Sequence, residues 1–329
     1  MFGESVLARK NPRRSSFTPL QKVERVQMSR NDFCKLDQAS GGIESDLRWP
    51  SISFNSRNSL GIIEWMPSGV HERLISSFIG RHEIAREDLP KAVAEHVGAV
   101  GSQRIGGFTG QYQGSKKEAD VLFTYQQQNR KILYTCAVEI GFSETYEELV
   151  EDAKLWIEGQ HDVKTVILIK VVEDPPYRSP AHSLRDDEIK GLGFPDSSDL
   201  DTSLVVLEDQ ADSFGRLQIR SLTWVGKMYA FLEIWKANTG TGNAERQGVR
   251  KHFVGGTDDE IAELDIKLGD LYPIDARAGD KRLPLTWERL RRDLEGARYE
   301  LAVERCRDTL TKFAEGEVKS DDPDYVDEL

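Results

Sequence analysis

The sequence predicts an α/β fold. Three observations carry that expectation. A strand–turn–strand–helix–strand succession runs from Glu118 to Val172, a strand leads into an amphipathic helix between Gly61 and Gly80, and a long helical pattern fills Trp287 to Phe313. With 329 residues, the chain is long enough for one large or two ordinary domains. Apolar residues make up 38% and charged residues 30%, a balance that suits a soluble globular protein with polar tails.

Taken in order, residues 1–45 hold Arg9, Lys10, Arg13, Arg14, Lys22, Arg25 and Arg30 among few acids. They are expected to form a disordered basic tail, whose ARKNPRRSS stretch resembles a weak targeting signal or nucleic-acid arm. Asp46 to Ser56 is expected to run extended, and Ser59 to Trp65 to form a strand. Pro67-Ser68-Gly69 is a turn in which Ser68 can cap the following helix. That helix is expected over His71–Phe78, with Leu74, Ile75, Phe78 and Ile79 on its inner face. His71 and Glu72 are adjacent and so point to different faces. A second helix is expected over Glu87–Val97, ended by Gly98. Gly98–Gly114 is glycine-rich but lacks a Lys-Ser or Lys-Thr at phosphate-loop spacing, and is expected to be a mobile loop.

Within the central stretch, Val121–Tyr125 and Ile132–Ile140 are apolar runs separated by the polar turn Gln126–Arg130. Thr145 followed by Glu148 makes a capping box, which starts a helix at Tyr146. Tyr146, Leu149, Val150, Ala153, Trp156 and Ile157 form one apolar stripe along it. Thr165–Val172 is a continuous apolar run of the kind a buried strand needs. Two acids interrupt this frame: Asp120 opens the first strand and Glu139 lies near the end of the second. If the strands pair as a hairpin, both acids fall at the same end, on neighbours about 5 Å apart. Carboxylates that close raise each other's pKa unless a cation sits between them. Hard oxygen ligands suit Mg²⁺ or Mn²⁺, and such an ion can polarise a phosphodiester and activate water.

Pro175–Ser203 has no clean periodicity and is expected to be a surface insertion. Ser203–Leu207 and Gly215–Leu222 alternate as strands do, and Val225–Trp235 carries an apolar, aromatic face suited to core packing. Asn238–Gly256 is expected to be a flexible linker. Leu290, Leu294, Ala297, Leu301, Cys306, Leu310 and Phe313 form the stripe of a C-terminal helical region, residues 274–314. That stripe must bury against the core or against a second copy, which makes a homodimer one expectation. Residues 315–329 are expected to be an acidic disordered tail.

Cys34, Cys136 and Cys306 are too few and too scattered for a disulfide framework or a zinc site, and none of the six histidines shows metal spacing. No run approaches a membrane span, so no membrane partner and an intracellular location, cytoplasmic or nuclear, are expected. The net charge of −12 argues against non-specific coating of nucleic acid. It leaves room for a local basic groove, for which Arg104, Lys116, Lys117, Arg130 and Lys131 flank the hairpin.

The order strand–Asp, strand–Glu, helix, strand resembles the PD-(D/E)XK nuclease superfamily, and more narrowly the Uma-type restriction-endonuclease-like family. GIIEWMPSGVHERLISSFIG upstream, and SLTWVGKMYAFLEIW and IKLGDLYP downstream, are similar to that family's opening strand, first helix, later strand and closing segment. The resemblance covers roughly Ile62 to Pro273. It implies a restriction-endonuclease-like core over 46–273, with a mixed central sheet flanked by helices and a long C-terminal helix. It also implies Mg²⁺ or Mn²⁺ held by Asp120, Glu139 and the carbonyl of Ile140, with Glu72 as an auxiliary acid. The chain departs from the pattern at Ala119–Asp120, where Pro-Asp is usual, and at Glu139-Ile140-Gly141, which lacks the usual lysine. Uma-type members carry a lysine on the next helix instead. Lys154 is the candidate there, although the family position aligns nearer Asp152, and Lys170 in the following strand is a second. The implied function is metal-dependent hydrolysis of DNA or RNA. The alternative is a nuclease fold kept as an inactive binding or assembly module.

Overall fold

The structure is a computed structural model that describes residues 23–39, 51–64, 68–180, 184, 186–256 and 264–314. Its N-terminal elements are β1 (Val23–Gln27), α1 (Arg30–Ala39), β2 (Ser51–Asn55) and β3 (Leu60–Glu64). Helix α2 (Gly69–Glu87) and the single turn α3 (Lys91–Ala94) lead into β4 (Val97–Ile105), β5 (Lys117–Gln126), β6 (Ile132–Gly141), α4 (Tyr146–Gly159) and β7 (Thr165–Asp174). After α5 (Asp186–Gly191) come the short strands β8 (Val206–Leu207), β9 (Leu217–Ile219) and β10 (Leu222–Val225), then the long β11 (Lys227–Ala237) and β12 (Ala244–Val254). The turns α6 (Leu268–Leu271) and α7 (Ala276–Gly279) precede α8 (Trp287–Ala314).

The fold is α/β, with a six-stranded central sheet in the order β12-β11-β7-β6-β5-β4. The tight turn after β5 makes β5 and β6 antiparallel, while the crossover through α4 makes β6 and β7 parallel, so the sheet is mixed. Side chains alternate along β7. Val166 and Leu168 join the core under α4, where Leu149, Ala153 and Trp156 pack. Ile167, Ile169 and Val171 join the core on the other face, with Leu74 and Phe78 of α2 and Leu290, Leu294 and Leu301 of α8. The capping box that starts α4 is formed: Thr145 Oγ1 accepts from Glu148 N–H, and Glu148 accepts from Thr145 N–H. Ser68 caps α2 by accepting from His71 N–H. β1, β3 and β2 form a separate three-stranded sheet, and β10, β9 and β8 another.

Four expectations are corrected. The basic tail is not disordered throughout, because Val23–Gln27 pairs with β3 and Arg30–Ala39 is helical, placing Phe33 in a small core with Ile52, Phe54 and Ile63. Residues 1–22 and 40–45, like the acidic tail 315–329, lie outside the described residues. The glycine-rich loop after Gly98 is in its first part the edge strand β4. Its glycines mark close approach, since a Cβ at Gly98 would meet Thr124 Oγ1 at 2.8 Å. The helix placed over Glu87–Val97 is instead the end of α2, one turn of α3 and the start of β4. The linker at Asn238–Gly256 is largely the other edge strand, β12, whose exposed, charged sequence hid its period. In α8 the apolar stripe is buried within the chain against α2 and the core, so it offers no support for a dimer. Among the described residues, no helix is long and apolar enough to cross a membrane.

Candidate functional site

The paired part of the β5–β6 ladder ends at Val121↔Val138, so Asp120 and Glu139 stand next, where the strands leave regular pairing. Both line one cavity of about 40 Å³, the scale of an ion or a few waters. Its other walls come from Ser51 and Ser53 of β2, Ile62 and Glu64 of β3, His71 of α2, and Lys117 and Glu118 of β5. Ser102 of β4, Ile140 and the turn Phe142–Ser143–Glu144, between β6 and α4, complete it. Five carboxylates therefore converge there: Glu64, Glu118, Asp120, Glu139 and Glu144.

Each central acid has internal partners. Asp120 Oδ2 accepts from the Ile140 backbone N–H at 2.6 Å, which replaces a ladder bond, and Oδ1 lies 2.8 Å from His71 Nε2. Glu139 Oε1 accepts from the indole N–H of Trp156 at 2.5 Å, and Oε2 lies 3.6 Å from Lys117 Nζ. Lys117 in turn reaches Asp152 Oδ2 at 2.7 Å. Lys117, Glu139 and Asp152 are all buried, so they form a charge cluster inside the protein.

Burial and crowding set the electrostatics. Burial, with Asp120, Asp152 and Glu144 adding to it, pushes the Glu139 carboxyl well above the ordinary range despite Lys117. Burial and the same acidic neighbourhood raise Glu144 to about 8. Burial works against the Lys117 charge, yet Asp152, Glu139 and Glu144 hold its pKa well above the usual value. Burial alone would lower the His71 imidazole, but Asp120, with Glu64 and Glu72, raises it to about 9. The cavity carries more acid than the two internal cations can offset.

Asp120, Glu139 and Ile140 all line the cavity, and the structure places the other candidates elsewhere. Glu72 points outward, with half its side chain exposed, and His71 takes the inward position. Lys154 pairs with Glu151 at 2.6 Å on the flank of α4 and is not part of the cavity wall. Lys170 donates to the backbone carbonyls of Phe142 (3.0 Å) and Glu144 (2.5 Å), fastening the turn that carries Glu144 inward. The lysine at the site is Lys117, and the helix position nearest it is Asp152. Both were legible. Lys117 and Ala119 are alternate buried positions of β5, with Ala119 in the core under α4, and Asp152 lies on the Leu149–Trp156 stripe. The expected basic groove does not form. Arg104 and Lys116 clasp Asp37 at 2.8 and 2.5 Å, and Lys117 is buried. Arg130 and Lys131 lie at the turn end of the hairpin, some eight residues or about 27 Å from Glu139.

Whether the site fits a divalent cation turns on its donors. They are hard oxygens around an ion-sized space with surplus negative charge, which suits Mg²⁺ or Mn²⁺. The ligands are not preassembled: among the described residues, no group of three or more His, Cys, Asp or Glu side chains stands in metal-binding geometry. Asp120 would have to exchange His71 for the ion. Comparison with family models, with curated proteins and with solved structures found no significant match.

Proposed function

We propose that this chain is a divalent-metal-dependent phosphodiesterase acting on DNA or RNA. The observation that carries this reading is the convergence of five carboxylates and a buried lysine on one ion-sized cavity at the open end of a β-hairpin. The substrate class follows from the resemblance to PD-(D/E)XK nucleases, whose strand–Asp, strand–Glu, helix, strand order the chain shares. Asp120, Glu139 and the Ile140 carbonyl would hold Mg²⁺ or Mn²⁺, which when bound polarises the phosphodiester and lowers the pKa of water.

The chain's own residues supply the rest. Lys117 keeps its proton, and its ammonium stands beside Glu139 where negative charge would develop on a phosphate. Asp152 fixes the direction of that ammonium, and Trp156 fixes one oxygen of Glu139. His71 neutralises Asp120 in the meantime and holds its carboxylate in place.

The test is cleavage of single- and double-stranded DNA and RNA with Mg²⁺ or Mn²⁺. Asp120→Ala and Glu139→Ala should each reduce the rate by about 10²–10³-fold. Undiminished cleavage by both folded variants would refute the assignment. A second reading, a nuclease fold kept as a binding or assembly module, is favoured by one observation: both central carboxylates already have internal partners. It requires no cleavage with any divalent ion, and no heat of metal binding at micromolar concentrations.

A further inference from the structure

The acid cavity lies between two bodies of structure. One is the central sheet, with the ends of β5 and β6 and the turn that follows. The other is the unit made of β1, α1, β2 and β3, which contributes Ser51, Ser53, Ile62 and Glu64 to the wall. This unit has its own apolar core of Phe33, Ile52, Phe54 and Ile63, separate from the two cores that flank the central sheet.

Its ties to the rest of the chain are polar. Asp37 of α1 is clasped by Arg104 and Lys116, and Arg104 also donates to the Ile52 carbonyl at 2.7 Å. Phe54 and Lys116 exchange two backbone hydrogen bonds of 2.7 and 2.9 Å. Ser56 Oγ lies 2.9 Å from Ser115 Oγ, and Ser51 donates to Glu118 at 2.9 Å. Arg25 of β1 pairs with Glu148 at the start of α4, with an Nη2–Oε2 distance of 2.8 Å. A unit with a private core and polar ties detaches at lower cost than one sharing an apolar interface, because its groups regain water when they part.

Size favours detachment. A cavity of about 40 Å³ accommodates an ion or a few waters, whereas a site for an organic ligand needs about 300 Å³ or more. We infer that the β1–α1–β2–β3 unit is a cap that must lift from the acid cavity before anything larger than a hydrated cation enters. The Asp37–Arg104–Lys116 clasp and the Arg25–Glu148 pair are its latches. The Ser51–Glu118 bond breaks on opening, which exposes one of the cavity's carboxylates. The inference adds regulation to the proposed site, but its central test does not depend on catalysis.

That test is hydrogen exchange by mass spectrometry on the full chain. Among the amides of β2 and of residues 116–118, those that bond across the contact, Phe54 and Lys116, should exchange together, about tenfold or more faster than those of β6 and β7. Asp37→Asn should speed both segments in step by a further factor of about ten while leaving β6 and β7 unchanged. Because Asp37 is buried and its loss could unfold the unit, a second variant works in the opposite direction. Ser56→Cys with Ser115→Cys, in a Cys34→Ser background, replaces two facing hydroxyls by thiols that can form a disulfide. Oxidation should slow exchange of β2 and residues 116–118 to the rate of the central sheet, and reduction should restore it. The cap is overturned if β2 exchanges only at the rate of β6 and β7 before any lock. It is also overturned if the lock and Asp37→Asn both leave β2 unchanged. Where polynucleotide cleavage is observed, the oxidised lock should abolish it and retain Mn²⁺ binding. Cleavage by the oxidised lock would sink the cap and leave the phosphodiesterase standing. Absence of cleavage in every variant would sink the phosphodiesterase and leave the exchange result to decide the cap.

Discussion

Lys117 is the residue whose removal separates the site from its surroundings most cleanly. Its ammonium is shared by two buried carboxylates, so Lys117→Met leaves Glu139 and Asp152 uncompensated. Breaking one side of such a cluster costs about 3–5 kcal/mol, measurable by urea unfolding. Lys154→Ala, by contrast, removes a half-exposed pair with Glu151 and should change stability by no more than about 0.5 kcal/mol. His71 gives a pH signature. Its folded pKa, about 9, lies above the ordinary 6.5, so its pairing with Asp120 stabilises fully below about 6.5 and is lost as pH rises through 9. The thermal midpoint should therefore fall between pH 6.5 and 9, by at most about 3 kcal/mol in stability, and His71→Gln should flatten that fall. Glu144 adds a decline of the same sign at lower pH. Its folded form keeps a proton between about 4.5 and 8 that the unfolded chain has already released. Sequence made His71 legible, since it shares a face with Leu74, Ile75 and Phe78; Glu72 drew attention only because the resemblance calls for an acid there. What sequence could not supply was the pairing of Asp120 with His71, which depends on how α2 lies across the strand ends.

Among the elements, those with strong local rules were read well and those whose rules are tertiary were not. The capping box, the hairpin turn and the apolar run of β7 each act within a few residues, and the observed bounds follow them. Thr145→Ala should cost about 1 kcal/mol in α4, seen as a drop in unfolding midpoint with no change in the slope against urea. β4 and β12 were missed for a common reason. Both are edge strands with one flank open to solvent, so neither shows a clean apolar alternation, and glycine in β4 weakens the local preference further. Helix α2 runs nine residues past Phe78 because its buried face continues through His82 and Ala85, where the polar flanks suggested an end.

For the molecule as a whole, α8 decides how the chain holds together. It packs along α2 and over the small β8–β9–β10 sheet, and its polar residues are drawn into the interior as well. Arg305 forms a two-pronged pair with Glu173 at 2.7 and 2.8 Å, and Arg298 reaches the carbonyls of Ser213 and Gly215. A helix buried on several sides is a structural spine rather than a spare surface. Leu294→Ala should accordingly cost about 2–5 kcal/mol, with a thermal midpoint that does not depend on protein concentration. A concentration-dependent loss would point to a contact between copies instead.

The exchange of charge between strand and helix also has an evolutionary corollary. Lys117 and Asp152 lie 35 residues apart, yet neither tolerates the loss of the other, because a lone charge would be stranded in the interior. Across relatives the two positions should covary, appearing as a Lys–Asp couple, as the reverse couple, or as two neutral side chains.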